Sequence, residues 1–223
     1  LQAYREARAR VEITTFSMRG DHPIYWPIRA REDRPERLWS MLAAGASVKG
    51  APGNGEALHI FAETRRSDPE EQFVMAQMLV QAGAALEARN YAGKTPLACA
   101  VAGRGHAETA ALLRLGADPD IRLRWASLDE GAFRAPLLFA GAEEARIFRL
   151  LLDHGADPTR RDSRGRSLDT YLRETIARQA ADMDRGEMSG NLLRRLKRST
   201  RALSTSLDLL NDHRPVRSRK DRG

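Results

Sequence analysis

Only one cysteine, Cys99, occurs in this chain of 223 residues, so no disulfide framework can hold its fold. Its place in "PLACAVAG" points to small-residue packing, because a reactive thiol wants an activating base and none is legible nearby. Long hydrophobic runs are missing too: no stretch of about 18 apolar residues appears, which excludes a membrane-spanning helix. Lysine is scarce, at 4 against 33 arginines. We attribute that bias to a GC-rich, bacterial genome, a matter of coding rather than chemistry. The chain does not begin with methionine, so localisation is not read from that end. A cytoplasmic protein is the default expectation, with secretion or the periplasm left open.

Catalytic groupings are also lacking. The histidines are His22, His59, His106, His154 and His213. His59 and His106 recur with the repeat described below rather than at metal-ligand spacing, and a bond from each ring to finger backbone is the simpler expectation. Glu70-Glu71 and Glu143-Glu144 are adjacent in sequence and point in different directions on a helix, so neither forms an acid/base pair. "GNG" at Gly53–Gly55 is too short to cradle a phosphate. The expectation is a protein with no enzymatic activity, no metal, no cofactor and no small-molecule substrate.

Apolar content is ample, at 42%, and it recurs. Four hydrophobic stretches end in Gly-Ala, "WSMLAAGAS", "QMLVQAGAA", "ALLRLGADP" and "RLLLDHGADP", with the glycines at 45, 83, 116 and 155. Their spacings of 38, 33 and 39 imply a unit of about 33 residues with insertions in two places, and that period marks a solenoid. In the most regular unit, Thr95 is placed to cap a helix and Pro96 sits where its missing N–H breaks no ladder bond. Ala98, Ala100, Val101 and Ala102 keep that helix thin enough for close stacking, and Gly103 with Gly105 ends it. Leu112 and Leu113 mark the buried side of a second helix, which Gly116 terminates in a left-handed conformation. Asp118-Pro119 then leads out in an extended finger.

The run Gly93-Lys94-Thr95-Pro96-Leu97, the Gly105-His106 turn and the closing Gly116-Ala117-Asp118 resemble the ankyrin repeat. The resemblance implies an all-α solenoid of paired antiparallel helices with finger loops, about four to five repeats. It extends to "RAPLLFAGAEEARIFRLLLDHGADP" through Pro136-Leu137, and to "GEALHIFAE" through Leu58 and His59. In the latter unit "TRRSDPEEQ" reads as an enlarged inter-helix turn. The first unit is degenerate: "HPIYWPIRARED" fits loosely, while "PERLWSMLAAGAS" supplies a second helix, with Trp26 and Trp39 expected to pack there. A partial unit begins at "DSRGRSLDTYLRETI", with Ser167 for Thr and no following Pro, as an end unit would. The expected organisation is a capping segment at 1–19, an array at 20–187 and a basic segment at 188–223.

Charge separates these regions. The chain is +7, from 37 basic and 30 acidic residues. Residues 188–223 hold 10 basic and 3 acidic residues, so the remaining residues balance at 27 against 27. Within "NLLRRLKRSTRALSTSLDLLND", Leu196, Leu203 and Leu210 form one helical stripe with Leu193 and Leu207. Arg194, Arg195, Lys197, Arg198 and Arg201 crowd its first half. The stripe either seals the last repeat or binds a partner helix or anionic membrane, and the basic cluster could hold nucleic-acid phosphates. The final "HRPVRSRKDRG" has little to bury and is expected to be a disordered tail.

The resemblance also implies a contact surface, formed by finger tips and the exposed side of first helices, that binds a protein partner to a monomeric chain. Carried onto this sequence, it implicates Arg89, Tyr91, Lys94, Arg161, Arg164 and Arg166. The finger lengthened to "IRLRWASLDEGAFRA" adds Arg122, Arg124, Trp125, Phe133 and Arg134 in one loop, of residue types that dominate interfaces.

Overall fold

A computed structural model describes residues 23–30, 32, 34–49, 56–127, 131–184 and 190–213. The side chains at 124–127, 131–134, 136 and 192 are outside that description. The expected capping segment at 1–19 and the basic tail at 214–223 lie outside the described residues. The chain divides into two compact units, Leu1–Arg124 and Trp125–Gly223.

Helix pairs build the first unit: α1 (Tyr25–Arg29) with α2 (Arg34–Ala43), α3 (Ala57–Ala62) with α4 (Pro69–Gln81), and α5 (Pro96–Gly103) with α6 (His106–Arg114). First helices pack on first helices, α1 on α3 and α3 on α5, and second on second, α2 on α4 and α4 on α6. This is the stacking that an ankyrin solenoid requires. Leu58, Phe61, Leu97 and Leu112 have no exposed surface, and each such side chain contributes about 1.5–3 kcal/mol. α5 starts where the sequence places it: the Thr95 hydroxyl accepts from the Ala98 N–H at 3.3 Å, with Pro96 in the first turn. Cys99 is buried and its thiol is pushed up, by burial first and then by the Glu63 carboxylate, as a packing side chain would be.

All four Gly-Ala endings close their helices alike. Gly45, Gly83, Gly116 and Gly155 have φ of 88°, 95°, 93° and 87°, a region that costs an L side chain about 1 kcal/mol or more. The alanine N–H after each glycine then donates to a carbonyl five residues back, Met41, Leu79, Leu112 and Leu151, at 2.9–3.1 Å. These are Schellman-type caps.

The degenerate first unit is a true helix pair, held by arginines from elsewhere in the unit. Arg34 is 2% exposed; its Nε and Nη2 donate to Ile28 O at 3.1 and 2.9 Å and its Nη1 to Glu71 Oε1 at 3.0 Å. Burial lowers its pKa and Glu71 opposes that. Arg66 donates to Ala30 O at 2.9 Å. Five-residue α1 therefore has its C-terminal carbonyls satisfied by side chains its own sequence does not contain. Trp26 is half-buried under the Arg37 guanidinium, 4.6 Å from its ring centroid, whereas Trp39, expected to pack, is 40% exposed.

The second unit holds α7 (Leu137–Gly141), α8 (Ala145–Asp153), α9 (Leu168–Asp184) and α10 (Gly190–Asp212). α7 packs on α8, and α10 packs on both α8 and α9. The leucine stripe is thereby consumed within the unit: Leu203 and Leu210 are buried, and Ser206 Oγ donates to Ala142 O at 2.9 Å. Gln179 stitches α9 to α10, donating to Ser199 Oγ at 3.1 Å and accepting from Thr200 Oγ1 at 2.8 Å.

One departure concerns the lengthened finger. It is a β-hairpin rather than a loop, with β1 (Arg122–Ser127) and β2 (Gly131–Pro136) forming a two-stranded sheet. The alternation that supports a strand begins at exposed Arg122 and buried Leu123. Among the described residues the fold is otherwise helical.

Candidate functional site

The fingers at 89–94 and 161–166 share one plan. In the first, the Asn90 N–H donates to Lys94 O at 3.0 Å and the Gly93 N–H to Asn90 O at 2.8 Å. Asn90 Oδ1 accepts from the Ala92 and Lys94 N–H groups, both at 3.0 Å, and Arg89 Nη1 donates to Gly93 O at 2.8 Å. In the second, the Asp162 N–H donates to Arg166 O and the Gly165 N–H to Asp162 O, both at 3.1 Å. Asp162 Oδ1 accepts from the Arg164 and Arg166 N–H groups, both at 2.9 Å, and Arg161 Nη1 donates to Gly165 O at 2.7 Å. Gly93 and Gly165 both have positive φ, 71° and 77°. The pattern Arg-Asn/Asp-x-x-Gly-Lys/Arg thus folds as a self-contained turn organised by a short polar side chain.

This arrangement redistributes roles among the residues expected to bind. Arg89 and Arg161 are exposed, but their guanidinium groups staple their own fingers. Lys94 is half-buried, and its carbonyl accepts from His59 Nε2 at 3.0 Å. His59 Nδ1 accepts from the Glu56 N–H at 3.1 Å, which fixes the tautomer: Nε2 carries the proton. Arg166 is committed to Asp162 Oδ2 at 2.8 Å and to Glu174 Oε2 at 3.4 Å. Tyr91, at the tip, is 86% exposed. Arg122 and Arg164 are exposed, while the side chains of Arg124, Trp125, Phe133 and Arg134 lie outside the described residues.

Asp162 and Asn90, the organisers, are absent from the sequence-derived set, although the doubled Arg-Asn/Asp-x-x-Gly-Lys/Arg spacing signals both. Burial alone would raise the Asp162 carboxyl. Hydrogen bonds from the Arg166 guanidinium and from the Arg166 and Arg164 N–H groups outweigh burial and hold it below the ordinary carboxylate range.

Successive loops in the first unit are also tied together. Glu56 Oε2 accepts from the Ala85 N–H at 3.0 Å, and Glu87 Oε1 from the Asp118 N–H at 2.9 Å. Ala85 and Asp118 each stand two residues after a cap glycine, so the link repeats with the unit. The enlarged turn at 64–68 is anchored likewise: Glu108, with no exposed surface, accepts at Oε1 from Thr64 Oγ1 at 3.0 Å and from the Arg66 N–H at 2.6 Å. The turn is therefore part of the stacking rather than a free loop.

On α10, the side chains of Arg194, Arg195, Lys197, Arg198 and Arg201 are all exposed. Among the described residues, no helix is long and apolar enough to cross a membrane. None of their groups of His, Cys, Asp and Glu is arranged to hold a metal ion.

Residues 92–123, the segment holding α5 and α6, match the family model "Ankyrin repeat". Solved structures similar to this chain include the human ASB11 ankyrin repeat domain, at 18% identity and a TM-score of 0.49, covering 67% of this chain and 61% of that one. No curated protein matches the chain.

Proposed function

We propose that this chain is a non-enzymatic scaffold that binds a protein partner through its finger tips and the exposed side of its first helices. Ankyrin repeats are in general protein–protein interaction modules. The observation that supports the reading here is Tyr91: an aromatic side chain 86% exposed on a finger whose backbone is fixed by five internal hydrogen bonds. An exposed aromatic on a pre-ordered turn binds with little loss of conformational entropy. The stack does not need it.

Two further segments are proposed to contribute, each taken by itself: the lengthened finger at 122–136, through Arg122, Arg124, Trp125, Phe133 and Arg134, and the later finger, through Arg164 at its tip. Affinity capture identified by mass spectrometry, followed by titration of the captured protein, tests the reading. Tyr91→Ala and Trp125→Ala should each weaken that complex by about 10-fold or more, and the pair Arg198→Gln and Arg201→Gln, on the exposed side of α10, should leave it intact. Full affinity in both alanine variants, with loss in the Gln pair, would overturn the proposal.

A further inference from the structure

The cations of α10 are arranged against the helix that carries them. Residues 190–201 include Arg194, Arg195, Lys197, Arg198 and Arg201 and no Asp or Glu, while Asp208 and Asp212 stand toward the C-terminal end. There is no acidic residue in the first turn and no basic one in the last. Cations near a helix N-terminus and anions near its C-terminus oppose the helix dipole. Local conflicts of this kind are expected where function requires them.

Among the described residues, several arginines outside α10 are matched. Arg34 pairs with Glu71, Arg114 with Glu70, Arg166 with Asp162 and Arg173 with Asp169, at 2.8–3.1 Å. On α10, Arg194 bonds Gly190 O and Asn191 Oδ1. Arg195, Lys197, Arg198 and Arg201 are exposed and make no ion pair among the described residues. Positions 194, 197, 198 and 201 follow helical spacing and so share one side of α10, over about 10 Å of axis at about 1.5 Å per residue.

We infer that this outward face of α10 is a phosphate-binding track that holds the backbone of a nucleic-acid duplex without reading its sequence. Its length spans about three phosphates of one strand at about 3.4 Å each along the axis. Arginine, four of the five cations, presents a fork that matches phosphate oxygens. The rest of the helix selects among anionic partners. Leu203, Ser206 and Leu210 are buried against α8 and α9, so these residues are taken up by packing and not free to insert into a bilayer, and stable membrane attachment takes a second signal beyond charge. The helix holds no aromatic residue, so it lacks the stacking platform that single strands require. Duplex backbone binding needs only the charges. The track is independent of the fingers.

The test is fluorescence anisotropy of the full chain with a random-sequence DNA duplex between about 50 and 200 mM salt. Four contacts give a log–log salt slope of about −3 to −4, a loss of roughly 100-fold over that range. The combined variant Lys197→Glu, Arg198→Glu and Arg201→Glu should bind at least about 30-fold more weakly at the low-salt end. Its Tm should be unchanged or higher, because its charges then agree with the dipole. The milder pair Arg198→Gln and Arg201→Gln should reduce the slope by about 2 whatever its stability. Three results would overturn the inference: no duplex binding at low salt, a slope unaltered in the Gln pair, or binding to phosphatidylserine-containing vesicles with the duplex ignored.

Discussion

In the finger at 89–94 the loop is organised by an amide, Asn90, and at 161–166 the same position carries a carboxylate, Asp162. The backbone bonds are the same in both. What differs is what the organiser can attract: Asp162 is buried and holds the Arg166 guanidinium in addition to two N–H groups. Asn90 instead lends its Nδ2 to Cys99 Sγ at 3.6 Å, a weak contact. One geometry is therefore held neutrally in a regular repeat and electrostatically at the start of α9. The comparison separates what a turn needs from what its surroundings add.

Removing each organiser should magnify the contrast. Asp162→Ala leaves the Arg166 charge and two N–H groups without their acceptor and should cost about 3–4 kcal/mol. Asn90→Ala loses only neutral bonds and should cost about 1–2 kcal/mol. Denaturant unfolding of the two variants checks the order, and equal losses would break the distinction.

Exchanging the organiser should erase it. Asp162→Asn keeps the Oδ1 acceptor but turns an amide toward Arg166, at a cost of about 1–2 kcal/mol near neutral pH. The pH dependence carries the sign. Asp162 has a folded pKa below its unfolded value of about 3.9, so its contribution is complete above that value and is lost as pH falls through the folded pKa. Below about pH 4 the Asn variant and the parent should converge in stability, a convergence readable from thermal melts across acid pH.

Smaller effects should be shared by both fingers. Gly93→Ala and Gly165→Ala force an L residue to φ near +71° and +77°. Each should cost about 1 kcal/mol, in equal measure. Least of all, Tyr91→Ala should change stability by no more than about 0.5 kcal/mol, since the ring is exposed. A larger loss would show that the ring supports its finger.

Much of this construction is legible in sequence because its causes are local. Thr95-Pro96 starts a helix and Gly116-Ala117 ends one within a few residues, whatever surrounds them. The burial of Leu203 and Leu210 follows from heptad spacing. The capping of α1 by Arg34 and Arg66, and the anchoring of the enlarged turn on Glu108, join residues from 6 to 44 positions apart, and most of these partnerships leave no periodic signal. Trp39 is exposed because its neighbours Leu38 and Met41 fill the α2 interface. Large size alone did not decide its side. The fingers fall between these cases: the Arg-Asn/Asp-x-x-Gly spacing is local, but the residue that organises it is a short polar side chain beside a larger arginine, of a type common in any loop.

The carboxylates of Glu56 and Glu87 have a consequence for how order spreads. Each reaches past its own finger to hold an amide at the start of the next, so a loop is complete only when the unit before it is folded. Fraying at one unit therefore frees its neighbour's amide to water, and loosening advances along the stack in steps, as in a row of fastened clasps.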